Sequence, residues 1–448
     1  MGVGFGDPTP REVLGVGFGD PTPREKRVKI MSKIDDLIKQ HCPNGVEWKE
    51  LWEITYWDKR FNGVDKEKQK NVINFKHTSA EILKQIELTN NGNIRLLSTG
   101  NYNGYTTIEH IKYKELVNQG EVISIPSGGG VSIKYYNGLF VDSGNILGVS
   151  VNPQKINLKY IFYYLLNIKE KIELLYRGAG IKHPAMSEIL QLKIPLPPLP
   201  VQEEIVRILD KFTELEKELE KELEKRKQQY DYYRNELLNP ENMRGAVEWK
   251  TLGEICNIKG RIGFRGYTKN DLVPKHTGAI SLSPANIINS SIVFDSNTYI
   301  SWEKYNESPE IIVKEHDVIF CKTGSIGKVA LIKYLPEPAT INPQLVVLKN
   351  IKCNNFYLAY ILGCIHFQNV IQKIKGIGSI PTISQKDLGN QKIPIPPLQE
   401  QEKIVKILDK FDALVNDISI GLPAEIKARR KQYEYYRDKL LNFDECGG

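Results

Sequence analysis

Residues 193–212, Lys-Ile-Pro-Leu-Pro-Pro-Leu-Pro-Val-Gln-Glu-Glu-Ile-Val-Arg-Ile-Leu-Asp-Lys-Phe, return at 392–411 with fifteen of twenty positions identical, at an offset of 199. Residues 226–238 (RKQQYDYYRNELL) are answered by 429–441 (RRKQYEYYRDKLL) at an offset of 203. A third echo joins Val46-Glu-Trp-Lys-Glu-Leu51 to Val247-Glu-Trp-Lys-Thr-Leu252, offset 201. The stretches enclosed by these echoes, 53–192 and 254–391, scarcely resemble each other. Repeats of 20–50 residues stack into solenoids. A period of about 200 is domain-sized, so the chain is a duplicated half-molecule: one frame used twice around two different contents.

The frame is helical. In 201–238, apolar residues at Val201, Ile205, Ile208, Phe212, Leu215, Leu219, Leu223, Tyr230, Tyr233 and Leu237 step by three and four, with one gap of seven between Leu223 and Tyr230. This is the stripe of a long coiled-coil-like helix. Prolines 197, 198 and 200 precede it, Pro240 ends it, and Glu/Lys pairs line its other face. Thirty-eight residues at 1.5 Å each make a strut of about 57 Å. The twin stripe runs through Ile404, Ile407, Phe411, Leu414, Ile418, Ile426, Tyr433, Tyr436 and Leu440. It carries four extra residues, close to one turn, and Gly421-Leu-Pro423 within it should kink or divide the helix. A stripe this long must be covered, and the economical partner for each strut is the other, packed antiparallel. The expected fold class is α+β: two mixed α/β domains separated by two long helices pairing as an antiparallel coiled coil, pseudo-two-fold. The residues expected to pair the helices or dock partners are Ile205, Ile208, Phe212, Leu215, Leu219 and Tyr233, with Ile404, Ile407, Phe411, Leu414, Tyr433 and Tyr436 on the twin.

The expected organisation is a leader (1–30), a first domain with an N-terminal helix (31–195) and a central helical region (196–240). A second domain (241–394), a distal helical region (395–443) and a tail (444–448) follow. The leader repeats GVGFGDPTPRE without any periodicity, ahead of Met31-Ser-Lys-Ile, and reads as a disordered or adventitious addition. No run of eighteen apolar residues predicts a membrane span. The six cysteines are scattered without a CxxC pair, which fits reduced thiols and a cytoplasmic home. The net charge of +7 is unevenly placed: 201–238 carries −3 and 399–441 carries +1, which leaves +9 for the remainder, mostly the two divergent contents. Basic variable parts on a near-neutral frame suit a polyanion held by the variable parts, although solvated lysines explain the same balance.

Within the contents, 121–125, 139–141, 317–321, 328–333 and 345–348 read as strands, and 158–176 and 355–374 as helices. Asn93-Ile-Arg-Leu-Leu-Ser-Thr-Gly-Asn101 is faintly echoed by Ala279-Ile-Ser-Leu-Ser-Pro-Ala-Asn286, and Gly178-Ala-Gly180 by Gly376-Ile-Gly378. The contents are therefore expected to share a fold and not a surface. Gly324-Ser-Ile-Gly-Lys328 has two residues between its glycines and Val329 after the lysine. A nucleotide loop needs four, and then Ser or Thr. A tight turn offering backbone N–H groups and a cation to a phosphodiester fits better, and a plain hairpin fits equally well. Its counterpart is Pro126-Ser-Gly-Gly-Gly130 with Lys134. Amides and tyrosines cluster nearby at Asn101, Tyr102, Asn103 and Tyr105, and at Asn286 and Asn289. Asn and Lys are major-groove readers of adenine and guanine.

Candidate DNA contacts in the first content are thus Ser98, Asn101, Tyr102, Ser127, Lys134 and Lys182. Those in the second are Ser283, Asn286, Lys322, Thr323, Ser325 and Lys328. No catalytic residue, metal ligand or cofactor site is expected. The seven histidines lack ligand spacing, and no nucleophile–base arrangement, adenine-pocket Asn-Pro-Pro-aromatic or nuclease cluster is readable.

The paired motifs at 193–212 and 392–411, with Gly421-Leu-Pro-Ala-Glu-Ile426 and the segment 431–441, resemble the helical regions of type I restriction–modification specificity subunits. The resemblance covers essentially 31–443. It implies two target-recognition domains, each reading one half of an asymmetric, interrupted sequence in double-stranded DNA. It further implies helical regions that space them and dock two modification subunits. S-adenosylmethionine and adenine-N6 methylation then belong to those partners, and ATP and Mg to partner subunits including the restriction/translocase subunits, which are reached indirectly. Exchanging 53–192 should change one half-site, and adding a helical turn within 213–229 should change only the gap. A coiled-coil adaptor binding proteins at its globular ends is the alternative.

Overall fold

The computed structural model describes residues 34, 36–100, 103–261, 268–295, 297–376, 380–417 and 420–446. The leader and two candidate contacts, Asn101 and Tyr102, lie outside the described residues. The chain divides into two compact units, with boundaries at Glu216/Lys217 and Ala428/Arg429, inside the two helical regions. Unit 1 therefore combines the start of the central helix with the end of the distal one, and unit 2 the reverse.

In unit 1, the motif strand β1 (Glu47–Glu50) is followed by β2 (Thr55–Trp57), β3 (Ile94–Ser98), β4 (Gly104–Thr106), β5 (Asn118–Pro126), β6 (Lys134–Ser143) and β7 (Asn145–Ser150). Six of these form one sheet in the order β2-β7-β5-β6-β3-β4, in which only β3 and β6 run parallel. Two short strands, β8 (Tyr176–Arg177) and β9 (His183–Pro184), pair across the 178–182 loop, and β10 (Lys193–Leu196) returns to pair with β1.

Unit 2 repeats this plan. Its strands are β11 (Glu248–Thr251), β12 (Asn257–Lys259), β13 (Leu272–Val273), β14 (Ala279–Leu282), β15 (Ile287–Ile288), β16 (Ser291–Ile292), β17 (Thr298–Ile300) and β18 (Ile312–Val313). They continue with β19 (Val318–Cys321), β20 (Val329–Leu331), β21 (Ala339–Ile341), β22 (Leu345–Lys349) and β23 (Lys392–Ile395). The sheets are β12-β22-β19-β20 and β13-β17-β14-β21-β18, with β14 and β21 parallel. The order matches unit 1 if β20 and β21 together stand for the long β6. The physical cause of the division is in the sequence: Pro336 and Pro338 lie between them. A proline supplies no ladder N–H, so one strand becomes two.

The sequence echoes find each other in space. Trp48 pairs with Pro195 and Trp249 with Pro394, so each domain is closed at its base by the same antiparallel pair in the same register. All five candidate strands lie in or overlap the strands just described. The two long helical runs are each divided, into Leu158–Asn167 and Lys169–Glu173, and into Asn355–Gly363 and Ile365–Ile374. Cys364 interrupts the second with extended backbone.

The central helix runs unbroken over Leu199–Leu237, with Glu-Leu-Glu-Lys three times in succession at 214–225. The distal run is divided into Leu398–Asn416 and Leu422–Leu440. A Cβ on Gly421 would lie 2.4 Å from the Ala413 carbonyl oxygen and 2.8 Å from those of Leu414 and Asp417. Only glycine fits there, and Pro423 sits in the first turn of the new helix, where its missing N–H costs nothing.

In unit 1, Phe212 stacks on Tyr436 at 5.4 Å and meets Tyr433 at 6.4 Å, while Glu216 receives Arg430. Rising numbers on one helix meet falling numbers on the other, so the pairing is antiparallel. In unit 2, Phe411 stacks on Tyr233 at 5.3 Å and on Tyr230 at 6.3 Å. Ile205 and Ile208 are buried in the core of unit 1, and Ile404 in that of unit 2, where Leu414 packs against it. Leu219 is half-buried. The stripe is not covered throughout: Leu215 is 46% exposed, and Ile407 39% where its twin Ile208 is 3%.

Two buried glutamines, absent from the expected list, join frame to content. Gln202 Oε1 accepts the Asn157 N–H at 2.8 Å, and its Nε2 donates to Pro197 O at 2.7 Å and Lys155 O at 3.1 Å. Gln401 Oε1 accepts from Asn354 N at 2.9 Å and its Nε2 donates to Pro396 O at 2.8 Å. Tyr160 and Tyr357 donate to the carbonyls of Pro195 and Pro394, and Tyr163 and Tyr360 to Asp210 and Asp409. The sequence carries this as Asn-x-x-Tyr-x-x-Tyr at 157–163 and 354–360.

Candidate nucleic-acid interface

Three loops meet at one end of the sheet in each domain. In the first domain Thr99, after β3, and Ser127, in the β5–β6 turn (127–133), both lie beside Gly144, and that turn meets the β8–β9 loop (178–182). The turn needs glycine: Gly129 has φ +99°, and its N–H donates to Lys182 O at 2.8 Å. His183 Nδ1 lies 2.6 Å from Ser127 O, so Ser127 and Lys182 are brought together, with Lys182 exposed. In the second domain Gly324, at φ +76°, donates its N–H to Pro381 O at 3.0 Å. The Thr323 and Thr382 hydroxyls lie 2.9 Å apart, and Ile383 N–H reaches Lys322 O at 2.9 Å. Two unrelated sequences thus build the same joint, turn glycine to loop carbonyl.

The remaining candidates divide into displayed and structural groups. Lys182 and Ser325 are exposed. Lys322 is half-buried, and burial holds its ammonium below the usual lysine range. Ser98 is buried, and its hydroxyl donates to Gly100 O. Ser283 and Asn286 cap each other in the turn Pro284–Asn286. Asn286 is 3% exposed and its amide is fully occupied: Oδ1 accepts from Ser283, and Nδ2 donates to Val293 O and Asn297 Oδ1. The two lysines expected to face phosphate, Lys134 half-buried and Lys328 exposed, bond loop carbonyls. Lys134 Nζ donates to Ser98 O, to Gly100 O at 3.4 Å and to Asn103 Oδ1 at 3.4 Å. Lys328 Nζ donates to Pro284 O at 3.0 Å and Ile287 O at 3.2 Å. The Gly324–Lys328 segment is a hairpin turn between β19 and β20, with its lysine tied to backbone, which removes the nucleotide-loop reading.

Other residues near these loops escaped the sequence reading. Arg95 lies over the Tyr105 ring at 4.7 Å, a cation–π pair on the strands flanking the first loop. Ile181 and Ile380 are 70% and 63% exposed, each directly before the residue whose carbonyl takes the glycine N–H. Both follow the repeated Gly-x-Gly within two residues, and that was the available signal. Beneath the first domain's loops, His77 bridges two buried carboxylates, with Nδ1 2.8 Å from Asp142 and Nε2 2.8 Å from Asp58. Hydrogen bonds to Asp142 and then Asp58 raise its pKa to about 9. Among the described residues no helix is long and apolar enough to cross a membrane.

The family model described as "Type I restriction modification DNA specificity domain" matches residues 62–225 and 246–428, one match per content. The chain is 36% identical over 307 residues to the EcoR124I/EcoR124II type I restriction enzyme specificity subunit of Escherichia coli, covering 66% of this chain and 73% of that one. It is 29% identical over 429 residues to a putative type I restriction enzyme specificity subunit, S.HindORF215P, of Haemophilus influenzae, covering 89% and 96%. The crystal structure of a type I restriction–modification S subunit from M. genitalium shares the fold at TM-score 0.54 and 18% identity, covering 89% of this chain and 96% of that one. The adaptor alternative falls away. The chain belongs to the DNA specificity subunits of type I restriction–modification systems.

Proposed function

We propose that this subunit reads an asymmetric, two-part DNA target, one part per domain, through the three-loop clusters, and that the duplicated helical frame docks two modification subunits. Restriction/translocase subunits join through those partners. The chain itself contributes recognition and assembly, and S-adenosylmethionine, ATP and Mg belong to the partner subunits.

The observation that carries the reading is the shared joint, Gly129 to Lys182 and Gly324 to Pro381, built from different side chains. Equal geometry with unequal chemistry gives two readers of one kind and two different half-sites; two identical readers would give a palindrome. Like frames bind like partners, which supports two modification subunits. Association with DNA draws on the +9 charge left outside the helical frame segments, and so weakens steeply with salt.

The test is exchange of residues 53–192 for the corresponding domain of another specificity subunit, followed by N6-methyladenine mapping with and without the gene. One half of the methylated motif should change and the other persist. Change in both halves would end the one-domain, one-half-site reading.

A further inference from the structure

Each domain holds its first loop by a lysine from the next turn. In the first domain the Lys134 ammonium meets Ser98 O, Gly100 O and Asn103 Oδ1. Gly100 O is also the acceptor for Ser98 Oγ at 3.1 Å and Asn103 Nδ2 at 3.1 Å, so three side chains meet at one carbonyl. In the second domain the Lys328 ammonium meets Pro284 O and Ile287 O, the two ends of the turn that Ser283 and Asn286 cap. Lys134 opens β6 and Lys328 stands just before β20, and each reaches the segment that follows β3 or β14.

The loops have different lengths and unrelated composition, yet each is tied by the same chemistry. An ammonium carries three donors and no acceptor, so it can bond several loop carbonyls at once. A lysine so engaged keeps its charge but has fewer donors left for a phosphate. Its effect on DNA comes through the loop it shapes. Recognition geometry depends on such support, because a base-reading group displaced by an ångström loses its hydrogen bonds.

We infer that Lys134 and Lys328 are positioning residues for specificity, each fixing the conformation of one DNA-reading loop and hence the base preference at one half-site, without itself contacting the DNA backbone. The inference rests on the assignment of these loops as DNA readers. Because the two clamps lie in separate domains, their effects on sequence preference are separable.

The experiment uses the full chain assembled with its modification subunit. The probes are duplexes carrying the methylated motif found in the cell, duplexes with single base-pair changes in either half, and an unrelated duplex of equal length. Affinity is measured across a salt series for wild type, Lys134→Met and Lys328→Met, with hydrogen exchange followed over 94–106 and 279–293. The expected result is that each variant loses roughly ten-fold in discrimination at one half-site and keeps it at the other. The slope of log affinity against log salt stays as in wild type, and exchange rises in the matching loop. Lys134→Gln and Lys328→Gln, which keep a donor, should lose less.

A uniform loss on every duplex, with the salt slope shallower by about 0.9, would make the lysine a phosphate contact; the clamp is then wrong while the loops remain readers. Unchanged discrimination with faster loop exchange would overturn the inference from the other side, since a loosened loop would not affect reading. Loss at both half-sites from one substitution, or a variant that no longer assembles while its Gln counterpart behaves as wild type, would also overturn it. Wild type that fails to separate the motif from the unrelated duplex would instead remove the reading on which the inference stands.

Discussion

Replacing Gln202 by leucine keeps side-chain volume and removes three hydrogen bonds that join the helical frame to the first domain. Gln202 is fully buried. The leucine leaves Asn157 N–H and Pro197 C=O without their partner in the interior. Lys155 is exposed, so its carbonyl regains water at little cost. A buried backbone group left unmade costs about 1–3 kcal/mol, so two of them cost about 2–6, with some return from the buried leucine methyls. We expect a net loss of about 3 kcal/mol. Two units can unfold separately, so a single midpoint is a poor readout. Hydrogen exchange by peptide is the better assay. Peptides over 153–166 and 196–206 should exchange roughly a hundred-fold faster, while 352–362 stays as in wild type. Gln401→Leu should produce the mirror result around Asn354 and Pro396. An acceleration below about five-fold in both variants, equivalent to less than about 1 kcal/mol, would refute the argument that these amides bind content to frame.

His77 gives a pH dependence with a defined sign. Its folded pKa, raised to about 9 by Asp142 and Asp58, lies above the ordinary 6.5. The stabilisation is therefore complete below about pH 6.5 and is lost as pH rises through about 9. His77→Gln should cost on the order of 1–3 kcal/mol at pH 6 after allowance for the ring's partial exposure, and much less at pH 9.5, as read from urea unfolding of the first domain. A cost that grows with pH would contradict the assignment. Gly421→Ala forces a methyl against the Ala413 carbonyl and should lower stability of the distal helical region by about 1–3 kcal/mol; equal melting temperatures would show that the break is not held by that contact.

Five strands and two helical runs of the contents were legible because their apolar runs are strong; others, among them β2, β7 and β21, are too short or too weakly marked to be read. The division of the distal helix was legible too, since Gly421 and Pro423 are local signals that no tertiary contact reverses. Loop residues were harder. Asn286 reads as a base-pairing amide and is a buried cap, because an asparagine's role depends on which donors surround it. Lys134 and Lys328 read as phosphate contacts because a lysine after a glycine turn usually points to solvent. Here neighbouring loop carbonyls, distant in sequence, bond the ammonium instead.

The sequence alone established that one frame occurs twice, that its helices carry an apolar stripe, and that the enclosed contents differ. Those properties are written in repetition and period, which survive without any knowledge of contacts. Tertiary structure decided which half of each helix serves which domain. The end of the distal helix packs with the start of the central one in unit 1, and Val46 N–H meets Asp444 O at 2.9 Å. It also decided which polar side chains face outward. Both outcomes turn on distances between residues up to about four hundred positions apart. An apolar stripe fixes that a face must be buried, and an amide or ammonium that it must be bonded, but neither specifies the partner. Packing and backbone geometry supply that choice.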